Sequence, residues 1–247
     1  MRIVCLTGET ADLCARLGAW DDVVAVSAYA DQSDIDPKPI ASGFSRGGVE
    51  FILSFQPELV LGFSDVQADL AGALIRAGVN VLVTNQRTLA ETSAAMRMIA
   101  GAIGRNGRGE EFVAEFEREL DGLRNVDGKR WRVYFEEWPE PPISGIGWVG
   151  EIIELCGGID VFADRRGRSA KERMVTDAEI CASQPEIILA SWCGKPVDLT
   201  ALTQRFATTP AGKEVRIHEI PGGEILQPGP RLLRGARRIR EIFEKAS

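Results

Sequence analysis

Two hydrophobic periods alternate along the chain. Short, largely apolar runs at residues 2–7, 23–26, 57–62, 80–84, 131–135, 185–190 and 215–220 read as strands, several apolar enough to be buried on both faces. Between them, apolar residues recur at helical spacing over residues 10–17, 49–55, 64–77, 89–103, 106–124, 148–156, 177–182, 199–206 and 231–245. Gly18, Gly78, Gly104 and Gly157 stand where helices should stop. Stretches 30–39, 138–142 and 221–230 carry prolines and read as loops, as do the glycine-rich segment 42–48 and the basic segment 165–171. The clearest stripe is Phe112, Val113, Phe116, Leu120 and Leu123 in 106–124. Asn106 is its expected N-cap, and Glu110 and Glu111 lie in the early turns, where the helix dipole favours negative charge. At ~1.5 Å per residue this helix spans roughly 25 Å, enough to bridge two lobes.

Alternating strands and helices predict the α/β class with mainly parallel sheets. The plan is also written twice. Residues 53–62 (LSFQPELVLG) can be laid on residues 181–190 (CASQPEIILA), with Gln-Pro-Glu followed by aliphatics in both. Proline ends each helix, and the aliphatics begin a buried strand. Shared turn chemistry alone could produce such a match, but the repeat suggests an N-terminal α/β lobe at 1–104, a connecting backbone helix at 105–127 and a C-terminal α/β lobe at 128–247. The connecting helix is expected to carry no chemistry.

Composition narrows the function. Of 247 residues, 45% are hydrophobic and 26% charged, which suits a soluble globular protein; the net charge of −7 argues against nucleic-acid binding. No run approaches the ~20 apolar residues of a membrane-spanning helix. The first strand follows Met1-Arg2 directly, with no apolar leader, which implies a cytoplasmic protein if the chain is full length. Cys5, Cys14, Cys156, Cys181 and Cys193 are odd in number and lack zinc spacing, so they are expected to be mainly core residues.

Ligands of open α/β sheets bind beyond the carboxyl ends of strands. In the first half those positions hold Tyr29, Phe63, and Phe44 with Arg46 in the glycine-rich loop. In the second half they hold Glu136, Glu137 and Trp138, then Trp192 and Cys193, with Trp148 at a nearby helix start. The late loop adds Glu224, Ile225, Leu226 and Gln227. Three of the five tryptophans therefore fall on one rim, which suits a wide cleft for a large flat ligand; alternatively the rings cap the sheet core. Enzyme signatures are weak. The single histidine, His218, lies mid-strand, adjacent Glu136 and Glu137 should diverge, and no phosphate loop, nucleophile elbow or metal cage is present. A protein without catalysis and without a cofactor of its own is expected. The basic sets Arg165–Arg173 and 231–240 read as solvated faces or as contacts for an anionic ligand or partner.

These features resemble the substrate-binding proteins of ABC importers for cobalamin, ferric siderophores and haem. The resemblance runs through RIVCLT at 2–7, the Tyr29 loop, VEFILSFQPELV at 49–60, ELCGGIDVF at 154–162, QPEII at 184–188 and GPRLL at 229–233. It implies two Rossmann-like lobes joined by one long backbone helix, and a corrinoid (cobalamin) held in the cleft between them. Among the family the chain is most similar to the cobalamin binders, with Tyr29 and roughly residues 223–227 at matching ligand positions. A ferric siderophore would draw on Arg46, and a haem on Tyr29 or His218 as axial ligand. The resemblance further implies a periplasmic monomer, and a permease docked through an acidic residue on each lobe, for which Asp69 and Asp198 are the candidates. A cytoplasmic α/β enzyme or corrinoid-handling factor, with Glu136, Cys193 or Tyr29 as reactive groups, is the alternative from another class.

Overall fold

Strand β1 (Ile3–Cys5) is buried throughout, as its unbroken aliphatic run requires, and lies in the middle of a five-stranded sheet. It is followed by α1 (Gly8–Arg16), β2 (Val23–Ser27), β3 (Ile40–Ser42), α2 (Val49–Ser54), β4 (Leu59–Phe63), α3 (Ala68–Arg76), β5 (Asn80–Thr84), α4 (Leu89–Ala102) and α5 (Asn106–Asp121). All the strand pairs are parallel, in the order β3-β2-β1-β4-β5. The winding therefore reverses between β1 and β4, the place where open sheets hold ligands. The computed structural model describes residues 1–43, 48–125 and 128–247 and divides into two compact units. The first comprises Met1–Gln86, Ala90–Glu117 and Pro228–Pro230; the second comprises Arg87–Leu89, Arg118–Gln227 and Arg231–Ser247. The division falls inside α5. On one face of the first sheet, Val4, Leu6, Ala25, Ile52, Val60 and Leu74 form a core cluster.

The second unit is built on β6 (Arg132–Pro139), β7 (Pro142–Ser144), α6 (Gly147–Leu155), β8 (Ile159–Asp160), α7 (Asp177–Ala182), β9 (Ile187–Ala190), α8 (Leu199–Arg205), α9 (Pro210–Lys213), β10 (Ile217–Glu219), α10 (Gly222–Ile225) and α11 (Leu232–Ala246). Its sheet runs β10-β9-β6-β7, with β8 also parallel to β6 and with β7 antiparallel, so the sheet is mixed. Tyr134 on β6 sits edge-on to Phe162 and Phe206 at centroid distances of 5.7 and 6.0 Å, inside a cluster with Ile180, Ile188 and Leu202. Helix α11 buries Leu232, Ala236, Ile239 and Phe243, a stripe at spacings of three and four. Helix α7 opens with a capping box, the Thr176 side chain accepting from Glu179 N–H while Glu179 accepts from Thr176.

The two Gln-Pro-Glu segments fold alike. Gln56 and Gln184 each take a left-handed backbone, with φ of 50° and 47°, just after α2 and α7 respectively. Proline then blocks further helix, and β4 and β9 begin two residues beyond it.

Several elements differ from their sequence expectations. Strand β6 continues through Glu136, Glu137 and Trp138 to Pro139, where a Pro-rich turn was expected after Phe135, because β7 pairs back onto it. The glycine-rich loop begins two residues into β3, and the expected late loop contains α10. Strand β5 was expected to be buried but is an edge strand, with Asn80 exposed and Val81–Val83 half-buried. Asn106 is the first residue of α5, so it is inside the helix.

Candidate functional site

The densest chemistry in the second unit lies at the carboxyl ends of β6 and β9. Glu136, fully buried on β6, pairs in register with Ala190, the last residue of β9. One residue beyond Ser191, the Trp192 indole N–H donates to Glu136 Oε1 at 3.1 Å. Glu136 Oε2 accepts from the Tyr134 hydroxyl at 3.2 Å and from Arg205 Nη1 at 3.0 Å. Arg205, the last residue of α8, also donates Nε to Asp177 Oδ2 at 2.9 Å and bonds Asp177 Oδ1 through Nη2. Burial pushes the Glu136 carboxyl above its usual range, while the Arg205 charge opposes that shift. The Tyr134 phenol is driven well up, first by burial and then by Glu136. Three donors from three elements thus hold one carboxylate, and that carboxylate fixes the plane of the half-buried Trp192.

The next residue on β6 has its own partner. Glu137 receives Arg173 through both Nη1 and Nη2, at 2.5 and 3.1 Å, and Arg173 is itself buried. Arg173 Nη1 also donates to the Ser144 carbonyl at 2.6 Å. As strand alternation dictates, Glu136 and Glu137 diverge to different arginines. Trp138 is half-buried and donates its indole N–H to the Glu140 carbonyl at 2.9 Å. Lys195 Nζ lies 4.3 Å from the Trp138 ring and 5.0 Å from the Trp192 ring. Cys193 is exposed, and its thiol is raised first by partial desolvation and then by the Glu137 charge, so it is no activated nucleophile.

In the first unit, Tyr29 follows β2 and is 48% exposed, its backbone N–H bonded to Ser27 Oγ at 3.3 Å. Phe63 is the buried last residue of β4, its N–H donating to Gln67 Oε1 at 3.0 Å. An open hollow of about 290 Å³ beside the end of β5 is lined by Thr84, Asn85, Gln86, Glu91, Ala94 and Met98, among others. Glu9, in the first turn of α1 at the winding reversal, is 6% exposed, and its Oε1 has no hydrogen-bond partner among the described residues. Desolvation pushes its carboxyl to about 7. Gly229 packs so closely that a Cβ there would sit 2.7 Å from Glu9 Cβ.

Not every sequence candidate shares this environment. Trp148 is 1% exposed, and its indole donates to the Ile225 carbonyl at 2.8 Å, so it anchors α10. Ile225 is fully buried by the same packing. Glu224 accepts both Nε and Nη2 of Arg238 at 2.9 and 3.2 Å, while Leu226 and Gln227 are half-buried. Phe44 and Arg46 lie outside the described residues. Asp69 is exposed in the first turn of α3, and Asp198 caps α8, accepting from Ala201 N–H at 2.9 Å. His218 is half-buried in β10, and desolvation lowers its imidazole. Among the described residues no group of His, Cys, Asp and Glu could hold a metal ion, and no helix is long and apolar enough to cross a membrane.

Sequence reasoning missed Glu9, Arg173, Lys195 and Arg205. Arg173 was taken as part of a basic face that the structure breaks into separate ion pairs, Arg166 going to Glu154 and Asp160 and Arg165 to Glu179. Lys195 had a readable signal: a Gly two residues after Trp192 turns the chain, with Lys195 N–H on the Trp192 carbonyl at 3.4 Å.

An open parallel sheet and a mixed sheet, with polar and aromatic residues at the strand ends, define an α/β protein. A family model described as periplasmic binding protein matches residues 3–222, and the chain belongs to that family. The vitamin B12-binding protein of Vibrio parahaemolyticus serotype O3:K6 is 24% identical over 249 residues, covering 98% of this chain and 89% of the relative. That of Yersinia pestis (strain Pestoides F) is 25% identical over 204 residues, covering 80% and 71%. Among solved structures, the apo periplasmic heme-binding protein RhuT from Roseiflexus sp. RS-1 superposes with a TM-score of 0.83 at 24% identity, covering 99% of this chain and 98% of the other. The periplasmic vitamin B12-binding protein BtuF of Vibrio cholerae gives 0.76 at 21% identity, covering 99% and 97%. The resemblance to substrate-binding proteins of ABC importers is thereby borne out, as is the two-lobe α/β class.

Proposed function

We propose that this chain is a non-enzymatic binding protein for a corrinoid, which it delivers to an ABC importer in the periplasm. The observation that carries the reading is the Trp192 indole, fixed by buried Glu136 at the carboxyl end of β9 beside Trp138. Rigid aromatic faces of this kind bind a flat macrocycle through apolar area at low entropy cost. Cys193 and the segment 224–227 lie on the same unit, and Tyr29 and Phe63 supply aromatics on the other. The vitamin B12-binding relatives favour the same ligand class. Asp69 and Asp198, at the starts of helices that follow the matching strands β4 and β9, are the proposed permease contacts.

A second reading, heme, is favoured by Tyr29, 48% exposed after β2 and of a residue type that serves as an axial ligand. Titration of the protein with cyanocobalamin, hemin and a ferric siderophore, followed by visible absorbance and tryptophan quenching, decides between them. Cobalamin is expected to bind most tightly. Dissociation constants above about 10 μM for all three would overturn the transport reading. Hemin binding that Tyr29→Phe abolishes would establish the second reading in place of the first. Asp69→Arg and Asp198→Arg should leave binding intact and impair uptake.

A further inference from the structure

Among the described residues, Arg173, Arg205 and Lys195 bring positive charge to the rim around β6 and β9, and the two arginines are committed to carboxylates. Arg173 is bidentate on Glu137, and Arg205 is shared between Glu136 and Asp177. Lys195 differs. Its ammonium lies over two indole rings, Trp138 at 4.3 Å and Trp192 at 5.0 Å, and among the described residues no carboxylate or carbonyl accepts from it. Both distances are inside the ~6 Å range of cation–π attraction. The rings hold the charge by their faces and consume none of its three N–H donors. The residue is exposed, and the turn that brings Lys195 N–H to the Trp192 carbonyl sets the start of its side chain beside that ring.

We propose that Lys195 is the anion-recognition residue of the ligand site, its ammonium meeting an anionic oxygen on the edge of a tetrapyrrole-class ligand. The inference rests on the reading given under Proposed function. A macrocycle that stacks on Trp138 or Trp192 arrives within a few ångströms of this charge. Stacking also removes water, which strengthens a charge–charge contact and penalises an ammonium left without a partner. An anionic edge is therefore selected over a neutral one. The anion is a phosphodiester in cobalamin and a propionate carboxylate in heme, and the chemistry at Lys195 is the same for both.

The test uses the full chain with two matched ligand pairs: cyanocobalamin against dicyanocobinamide, which lacks the phosphodiester, and hemin against hemin dimethyl ester, which lacks the free carboxylates. Wild type, Lys195→Met and Lys195→Arg are titrated at 50 and 500 mM salt, with circular dichroism confirming the fold of each variant. For the pair that binds, Lys195→Met should lose at least tenfold in affinity for the anionic member and less than threefold for the neutral one. Lys195→Arg should stay within threefold of wild type. The salt sensitivity of wild type should vanish in Lys195→Met. Equal losses for both members of a pair, or none, would overturn the role of Lys195 and leave the binding function standing. Failure of wild type to bind any of the four would overturn both.

Discussion

Arg2, directly before β1, and Arg132, the first residue of β6, make matching hydrogen bonds in their respective units. Arg2 N–H donates to Glu58 Oε2 and its Nε to the Phe55 carbonyl, at 2.7 and 3.1 Å; Arg132 N–H donates to Glu186 Oε2 and its Nε to the Ser183 carbonyl, both at 3.1 Å. Glu58 N–H and Glu186 N–H return bonds to the Arg2 and Arg132 carbonyls, each at 2.8 Å. The arginines satisfy carbonyls at the ends of α2 and α7 that the helices leave open. The repeated Gln-Pro-Glu is thus one clamp used twice, joining a helix end to two adjacent strands.

Within that clamp, Gln56 and Gln184 adopt the left-handed backbone that glycine tolerates best. Gln56→Gly should raise stability by about 0.5–1 kcal/mol, net of the greater freedom of glycine in the unfolded chain. Gln184→Gly should gain less, because it also removes the 2.7 Å bond from Gln184 Nε2 to the Cys181 carbonyl. Urea midpoints of the two variants measure the difference; equal shifts would show that this bond contributes nothing.

Glu9 makes stability depend on pH in an unusual direction. Desolvation raises its folded carboxyl from 4.5 to about 7, so the folded state keeps a proton that the unfolded chain has released. The Glu9 contribution is therefore fully present below about 4.5 and is lost as pH rises to about 7, by roughly 3 kcal/mol at most. Glu9→Gln should be more stable than wild type at pH 8, with the gap closing towards pH 4.5. Thermal or urea unfolding across that range checks it, and a gap that does not change with pH would mean that Glu9 is solvated.

Removing Arg205 leaves the buried Glu136 without its cation. Arg205→Met should destabilise the protein by about 3 kcal/mol, the usual cost of stranding one member of a buried pair. Adding Glu136→Gln to that variant should recover part of the loss, since the neutral amide oxygen still accepts from Trp192 while its NH2 group donates to the Tyr134 hydroxyl oxygen. Denaturant unfolding of the two single variants and the double variant gives the coupling directly.

Trp148 behaves as a structural residue in the packing, and the prediction separates that role from binding. Trp148→Phe keeps an aromatic ring but strands the Ile225 carbonyl, at a cost of about 1–2 kcal/mol. Ligand affinity should stay within twofold. A larger affinity loss, measured by titration at a temperature where both forms are folded, would return Trp148 to the site.

Element types were legible where local rules decide them. The aliphatic runs around β1, β4 and β9 could only be buried strands, and Asp177–Ala182 was bounded by the Gln-Pro-Glu that follows it. The β6–β7 hairpin was hidden because Pro139, Pro141 and Pro142 read as a turn, and only pairing to β7 keeps Glu136–Trp138 extended. The edge position of β5 depends on sheet order, which no local pattern encodes. Aromatic rim positions were readable from their places after strands. Which indole would be sealed was not, because Trp148 meets Ile225, 77 residues away. Partner choice among charges is equally non-local, as Glu136 and Arg205 stand 69 residues apart.

The excursion of Pro228–Pro230 into the first unit bears on how the protein is made. Gln86 Nε2 donates to the Pro228 carbonyl at 3.2 Å, and Gly229 covers Glu9, so the first unit is not a contiguous stretch of gene. On the ribosome its sheet and helices emerge early, but residues 228–230 leave the exit tunnel only after the strands of the second unit have been made. Until then Glu9 lacks the cover that Gly229 gives it. A fragment truncated at Glu117 would stop at that unfinished stage.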